Sequence, residues 1–406
     1  TQAFQSTIAQ GITGAGALTK TGTGTLVLDG VNTYSGATSV VAGTLVVGDA
    51  SHTGASVAGP ATVASGATLG GYGSVNGDVT NNGTIAVANA LSAAVTSADA
   101  KVARGSAIAV SHAQSSVAAS TQGSFTINGT LTNAGLVQIG GGAQAGNTLN
   151  VNSYVGQNGT IALNTVLAGD NAASDKLVVN GGTATGSTTL KVTNVGGQGA
   201  PIVSNGIQVV AAANGATTDA GAFALAGGVV KAGAYEYYLV KGGVTAGTSQ
   251  DWYLRNTVPA ANVASSANII AAPGTPVLPA AGATPVTLYR PEVALYAQIP
   301  SVMRQLDWMQ IDEFHQRQGD QSLLGEKGAV PAAWGRVWGA HSVLSEGGDV
   351  SPQFDGSMGG LQVGHDVYAD GAEGGHRNHY GFYLGMARAT GGVSGSALGV
   401  QGADVG

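Results

Sequence analysis

The chain has 406 residues, 67 of them glycine, with no cysteine, 9% charged side chains and a formal net charge of −7. So little charge without Pro or Gln enrichment excludes a disordered chain, and the lack of a G-X-Y period excludes collagen. Without cysteine there is neither a disulfide framework nor a Cys zinc site, no basic patch points to nucleic acid, and no run of 18 apolar residues points to a transmembrane helix.

The two ends of the chain differ. Residues 1–290 hold 9 basic and 9 acidic side chains, whereas 291–406 hold 6 and 13, which accounts for the net charge. Only Phe4, Tyr34, Tyr72, Phe125, Tyr154 and Phe223 supply aromatic rings before residue 230; sixteen follow it. No signal peptide opens the chain, since Thr1 begins polar, strand-like text. The expectation is a removed leader or a fragment of a longer chain. A cysteine-free chain also suits passage through an oxidising periplasm while unfolded.

From 18 to 90 the text reads as very short strands. TLVLDG, TSVVAGTLVVGD, ATVASGATLGG and GSVNGDVTNNGTIAV each close a few Val, Ile, Leu or Thr residues with Gly, Asn or Asp. Gly-Asp and Asn-Gly pairs suit positive φ at corners. The phrase SGATSVVAGTL returns loosely as SGATLGGYGSV. Short repeated strands with frequent corners predict a right-handed parallel β-helix, whose coils bury their apolar faces on one another. An antiparallel sandwich stays open on periodicity alone. Residues 91–120, rich in Ala and Ser, break the pattern and are expected to form an insertion loop. Strand text resumes at 124–142 and runs to about 215.

Residues 222–255 change character. Tyr235, Tyr237, Trp252 and Leu254 alternate with Glu236, Tyr238, Tyr253 and Arg255, which predicts two antiparallel strands. Rings that bury about 150–250 Å² each would cap the last coil, which has no following neighbour. Residues 256–290 read as a linker, with Pro259, Pro273, Pro276, Pro279 and Pro285 among small residues. A helix is expected over 292–317. Pro300 is read as sitting in a first helical turn, and Met303, Leu306, Met309 and Phe314 as sharing a face. Its last eighteen residues would span about 27 Å, close to the roughly 25 Å apolar height of an outer-membrane barrel. Three amphipathic strands follow at 333–341, 358–368 and 380–389. Each is about ten residues long, with one apolar and one small or polar face. A soluble antiparallel sheet with one wet face is the alternative.

Three stretches carry a family resemblance. LTKTGTGTLVLDGVNTYSGATSVVAGTL resembles the passenger-associated repeat of bacterial autotransporters. Residues 159–197, with YEYYLVKGG and DWYLRN, resemble the pertactin-like end of a passenger, the autochaperone region. YRPEVALYAQIPSVMRQL followed by WGRVWG resembles the start of the translocator. The resemblance implies an all-β protein with a right-handed parallel β-helix (solenoid) as passenger over 1–255, its autochaperone region at 148–255. The linker 256–290 and the first part of a translocator, 291–406, then follow. That part would hold a pore helix at 292–317 and about three strands of an incomplete outer-membrane β-barrel. A complete barrel of this type has twelve strands around a helix, so the chain is expected to be truncated.

No catalytic, cofactor-binding or metal-binding residue is expected. Gly22, Gly24, Gly71, Gly73 and Gly77 lack the following helix that would hold a phosphate. The Gly-Asp pairs are not followed by Ser, and G-x-S-x-G lacks its strand-to-helix setting. The passenger's His52 and His112 suggest no catalytic trio, and its nine acids look dispersed. Asp170 and Asp175 are read as turn caps. His376 and His379, three apart, would not share a strand face. The Tyr235–Trp252 aromatics are read as core and as a folding nucleus.

The expected function is therefore that of a non-enzymatic autotransporter. Its surface-exposed passenger is exported and anchored by a C-terminal barrel and serves adhesion or self-association. The alternative is the stalk of an autotransporter whose enzymatic domain, a protease or esterase, lay upstream. The expected partners are outer-membrane lipid, the barrel-assembly machinery, and host-cell or self-association contacts, with no nucleic acid and no cofactor. The expected location is the bacterial outer membrane and cell surface.

Overall fold

The computed structural model describes residues 5–91, 121–258, 270–273, 286–311, 328–371, 377–395 and 403–405. All of the expected insertion loop except Leu91, most of the linker and helix positions 312–317 lie outside them. The chain divides into two units, Thr1–Leu288 and Tyr289–Gly406.

The first unit is a three-faced solenoid. Thr25–Leu28 pairs in parallel with Thr44–Val47, that strand with Thr68–Gly71, and that one with Thr84–Val87. The same face continues through Leu136–Gln138, the middle of Thr148–Thr165, part of Thr183–Asn194 and Phe223–Leu225. A second face runs from Val31–Asn32 through Ser56–Val57, Ser74–Val75 and Ser124–Asn133. A third runs from Leu18–Lys20 through Thr38–Val40, Ala61–Val63 and Val79–Asn81. Every pairing between named strands from Gln5 to Leu225 is parallel, so the sandwich alternative falls away.

In-register stacking explains why two- to four-residue strands suffice. Leu26, Leu45, Leu69, Ile85, Val137, Ile161, Leu190 and Leu225 occupy one column, each over the next. All but Leu26 are buried. Each such burial contributes about 1.5–3 kcal/mol, and no coil could bury its column residue alone. A polar column parallels it inside: Asn81 donates to Asn133 Oδ1 at 2.8 Å, and Asn133 donates to Tyr154 Oη at 3.1 Å.

The second unit is an antiparallel sheet with one helix. Its long strands are Gly328–Ser345, Gln353–Gly371 and Arg377–Ser394, and a short fourth, Ala403–Val405, pairs with the third. They run 18–19 residues, longer than the amphipathic text suggests. Glycine and Ser/Thr at the strand ends hide the period there without stopping the ladder. The helix α1, Pro291–Ile311, differs from the expectation in two ways. Pro300 lies inside it, exposed, and Met303 faces away from the sheet. The packed stripe is Ala294, Gln298 and Val302, with Leu306 and Met309 partly buried. Spacings of four and three keep these on one face, and Pro300 falls on the other, where a missing N–H does least harm.

Candidate functional sites: the solenoid cap and the helix-bearing sheet

The cap begins where parallel pairing stops. Ile207–Ala213 is the last rung of its face, and on its free edge Trp252–Arg255 pairs antiparallel. Tyr235–Lys241 pairs antiparallel with that strand in turn. The Trp252 ring meets Phe223 edge-on at 5.3 Å, and Phe223 stacks on Tyr154 at 5.8 Å. All three side chains are fully buried. Their polar atoms are satisfied: Trp252 Nε1 donates to Thr218 Oγ1 at 3.0 Å, and Tyr154 Oη bonds Thr188 Oγ1 at 2.9 Å. Tyr237 Oη accepts from Ala200 N at 3.0 Å and donates to the Ala168 carbonyl at 2.9 Å.

Aspartates hold the loops around the cap. Asp170 accepts from the amides of Val203, Ser204 and Gly206 at 2.8–2.9 Å. Asp175, fully buried, accepts from Gly146, Asn147 and Asn164 at 2.7–2.8 Å. Burial pushes its carboxyl above the usual range, and the three amide donors offset part of that. Both aspartates therefore secure backbone of other coils. Arg255 is buried against the carbonyls of Ser204 and Thr257. Burial brings its guanidinium down to about 10, which leaves it charged at neutral pH.

The sheet of the second unit is turned inside out relative to a soluble one. Val337, Val343, Leu361, Val363, Phe382, Leu384 and Met386 are exposed, with Leu384 at 75%. Gln362 and Asp366 on the opposite face are buried. That face carries the helix: Gln362 Nε2 donates to the Gln310 carbonyl at 3.0 Å, and Arg336 donates to the Met309 carbonyl. Phe354, Met358, Ala389 and Val393 pack with Ala294 and Val302. The Trp334 ring lies over Gly364, where a Cβ would come within 2.4 Å of it. Tyr368 and Tyr380 face each other at 5.9 Å on adjacent strands, and both are about half exposed.

Comparison with known families adds to this geometry. The passenger-associated-transport-repeat model matches residues 18–47, and the autochaperone domain type 1 model matches 129–239. In both stretches the chain is similar to autotransporter passengers. Its relatives agree with this. The uncharacterized protein YdeU of Escherichia coli K12 is 33% identical over 245 residues, covering 59% of this chain and 49% of YdeU. The adhesin BmaC autotransporter of Brucella suis is 33% identical over 245 residues, 56% of this chain but 7% of BmaC. The autotransporter adhesin AIDA-I of Escherichia coli is 29% identical over 233 residues, 56% of this chain and 15% of AIDA-I. The chain thus spans about half the length of YdeU and small parts of the adhesins.

Of the histidines singled out in the sequence, His112 and His376 lie outside the described residues, as does the side chain of His379. His52, for which the sequence suggests no catalytic trio, lies 2.7 Å from Asp49 and 3.7 Å from Asp29. Asp29 and Asp49 follow equivalent strands of successive coils, so the fold stacks them. The signal was present in TLVLDG and TLVVGD, two repeat phrases that each bring an Asp to the same corner. The hydrogen bond to Asp49 raises the His52 imidazole above its ordinary value. Burial, and then the neighbouring Asp49 charge, raise Asp29. At Asp49 burial acts upward, but the bonds from His52 and Ser51 together bring the carboxyl below its usual range.

Proposed function

We propose that this autotransporter displays its β-helix, residues 1–255, on the bacterial surface for adhesion or self-association. Residues 291–406 form the first part of the outer-membrane barrel that exports and anchors it, and 256–290 link the two. The observation that carries the reading is the inverted sheet. Leu384, Met386 and Phe382 point outward and exposed, while Gln362 and Asp366 are covered beside the helix. Alternating apolar-out and polar-in faces are what a lipid-spanning barrel requires. The half-exposed Tyr368 and Tyr380 suit an aromatic girdle beside that apolar band. For the passenger, the support is its outer surface and its kin. Ser39, Thr62, Thr80 and Thr132 form an uncharged, in-register hydroxyl row on one side, and BmaC and AIDA-I are named adhesins.

Cells expressing the gene product with Leu384→Arg and Met386→Arg test the anchor and the display together. A charged side chain at mid-bilayer depth costs about 2–4 kcal/mol. The double variant is expected to lose most of its outer-membrane fraction, its surface display and any cell–cell aggregation. Full membrane assembly of the variant contradicts the anchor. Normal display without aggregation or adhesion by the unmodified protein contradicts the passenger's role.

A further inference from the structure

We propose that Asn214 is a site of spontaneous covalent modification, at which the Asn214–Gly215 turn closes to a succinimide and reopens as aspartate or isoaspartate. The Gly215 nitrogen attacks Cγ of Asn214, and the new C–N bond closes the ring. The Cγ–Nδ2 bond breaks, and Nδ2 leaves as ammonia with the proton of the Gly215 amide. Water then opens the ring at either carbonyl, which leaves a carboxylate and no net oxidation. A glycine in the second position favours the step, because it has no side chain to obstruct its own nitrogen.

The chain contains seven Asn-Gly pairs, all of them in the solenoid. The fold separates them, because the attacking amide has to be free of an acceptor and has to have room to move. Gly83, Gly181 and Gly206 spend their amides on Asn81 Oδ1, the Ala213 carbonyl and Asp170 Oδ1, at 2.8–3.1 Å. Gly77, Gly129 and Gly159 are pressed onto the neighbouring coil. A Cβ on them would lie 2.6–2.7 Å from backbone atoms of Pro60, Gly77 and Asn133 respectively. Gly215 meets both conditions. Its amide has no acceptor among the described residues, it is exposed, and a Cβ on it would meet nothing within 4 Å.

The turn itself is tight. Ala216 N donates to the Ala213 carbonyl at 3.0 Å, and Asn214 and Gly215 take φ of +51° and +81°, the pattern of a two-residue hairpin-type turn. The exposed Asn214 side chain donates from Nδ2 to Asn180 Oδ1 at 2.6 Å. That bond engages the nitrogen that leaves, not the carbon that is attacked. Conversion removes this donor and puts a carboxylate beside Asn180. Isoaspartate also adds a backbone carbon between Ile207–Ala213 and Thr217–Thr218. Both strands serve the cap: Ala212 N donates to Asp251 Oδ1 at 2.8 Å, and Thr218 Oγ1 accepts from Trp252 Nε1 at 3.0 Å. The modified turn therefore lies between two strands on which the cap is seated.

The test is peptide mapping by mass spectrometry of the purified full chain, held for days in mildly alkaline buffer beside an identical sample in concentrated urea. In the folded chain, Asn214 is expected to convert at least tenfold faster than any of the other six asparagines, to a mixture of isoaspartate and aspartate. In urea all seven are expected to convert at comparable rates. An Asn214 that stays intact in the folded chain, or that lags behind any of the other six, overturns the proposal. Aspartate without isoaspartate would mean direct hydrolysis and overturn the succinimide route. The same tenfold lead in urea would assign the order to local sequence and overturn the part given to the fold.

Discussion

Lys20 ends the strand Leu18–Lys20 and turns its ammonium into the corner rather than out to water. It donates to the carbonyls of Thr21, Gly22 and Ala42 at 2.7–2.9 Å, and its side chain is buried. Lys20→Met would leave those carbonyls unpaired at a coil-to-coil contact, at a cost of about 1–3 kcal/mol. A lower urea midpoint checks this, and an unchanged midpoint contradicts it. In the text, Lys20, Asp29 and Asp49 look like the few solvated charges of their repeat, and the structure buries both Lys20 and the Asp29 side chain. The glycines divide in a similar way. Gly43 takes φ +70°, as a corner residue should, but Gly30 does not; a Cβ on it would lie 2.6 Å from Gly11 N. Its smallness serves the close approach of coils, which is set by strand spacing and cannot be read from local turn chemistry.

At the scale of elements, the cap is the least replaceable part. Interior parallel rungs have a neighbour on both sides, whereas among the described residues the outer edge of the second face's last rung is closed by the antiparallel strand Trp252–Arg255. Trp252→Ala removes the ring that closes the Tyr154–Phe223 stack, and such truncations cost about 3–5 kcal/mol. Combined with Tyr237→Ala it is expected to lower protease resistance across the whole solenoid. Unchanged resistance of residues 18–215 would sink the idea of the cap as a folding nucleus. The cap was legible because large alternating rings stand out in small-residue text. The column from Leu26 to Leu225 was legible in kind but not in register, because insertions of varying length separate its members. The helix start at 292 agrees with the structure to one residue, but Pro300, a strong local signal for a first turn, lies inside the helix. Its exposed position on α1 shows tertiary packing overriding that signal. The Asp29–Asp49–His52 cluster was spelled out by a repeat, yet it becomes visible only once coils are stacked.

At the scale of the molecule, the two units obey opposite rules. The solenoid hides its aliphatic columns and shows hydroxyls, whereas the antiparallel sheet shows its aliphatics and covers Gln362 and Asp366. No helix among the described residues is long and apolar enough to cross a membrane, which says nothing of crossing by strands. The proposed surface display of the solenoid, with such a sheet as its anchor, would account for both rules. Protease shaving of intact cells expressing the protein, with the released peptides mapped by mass spectrometry, tests that account most directly. The account predicts peptides from 18–255 in the supernatant, while 333–394 stays with the cells until the outer membrane is dissolved. Release of 333–394 from intact cells, or protection of the solenoid until the cells are broken, would contradict it.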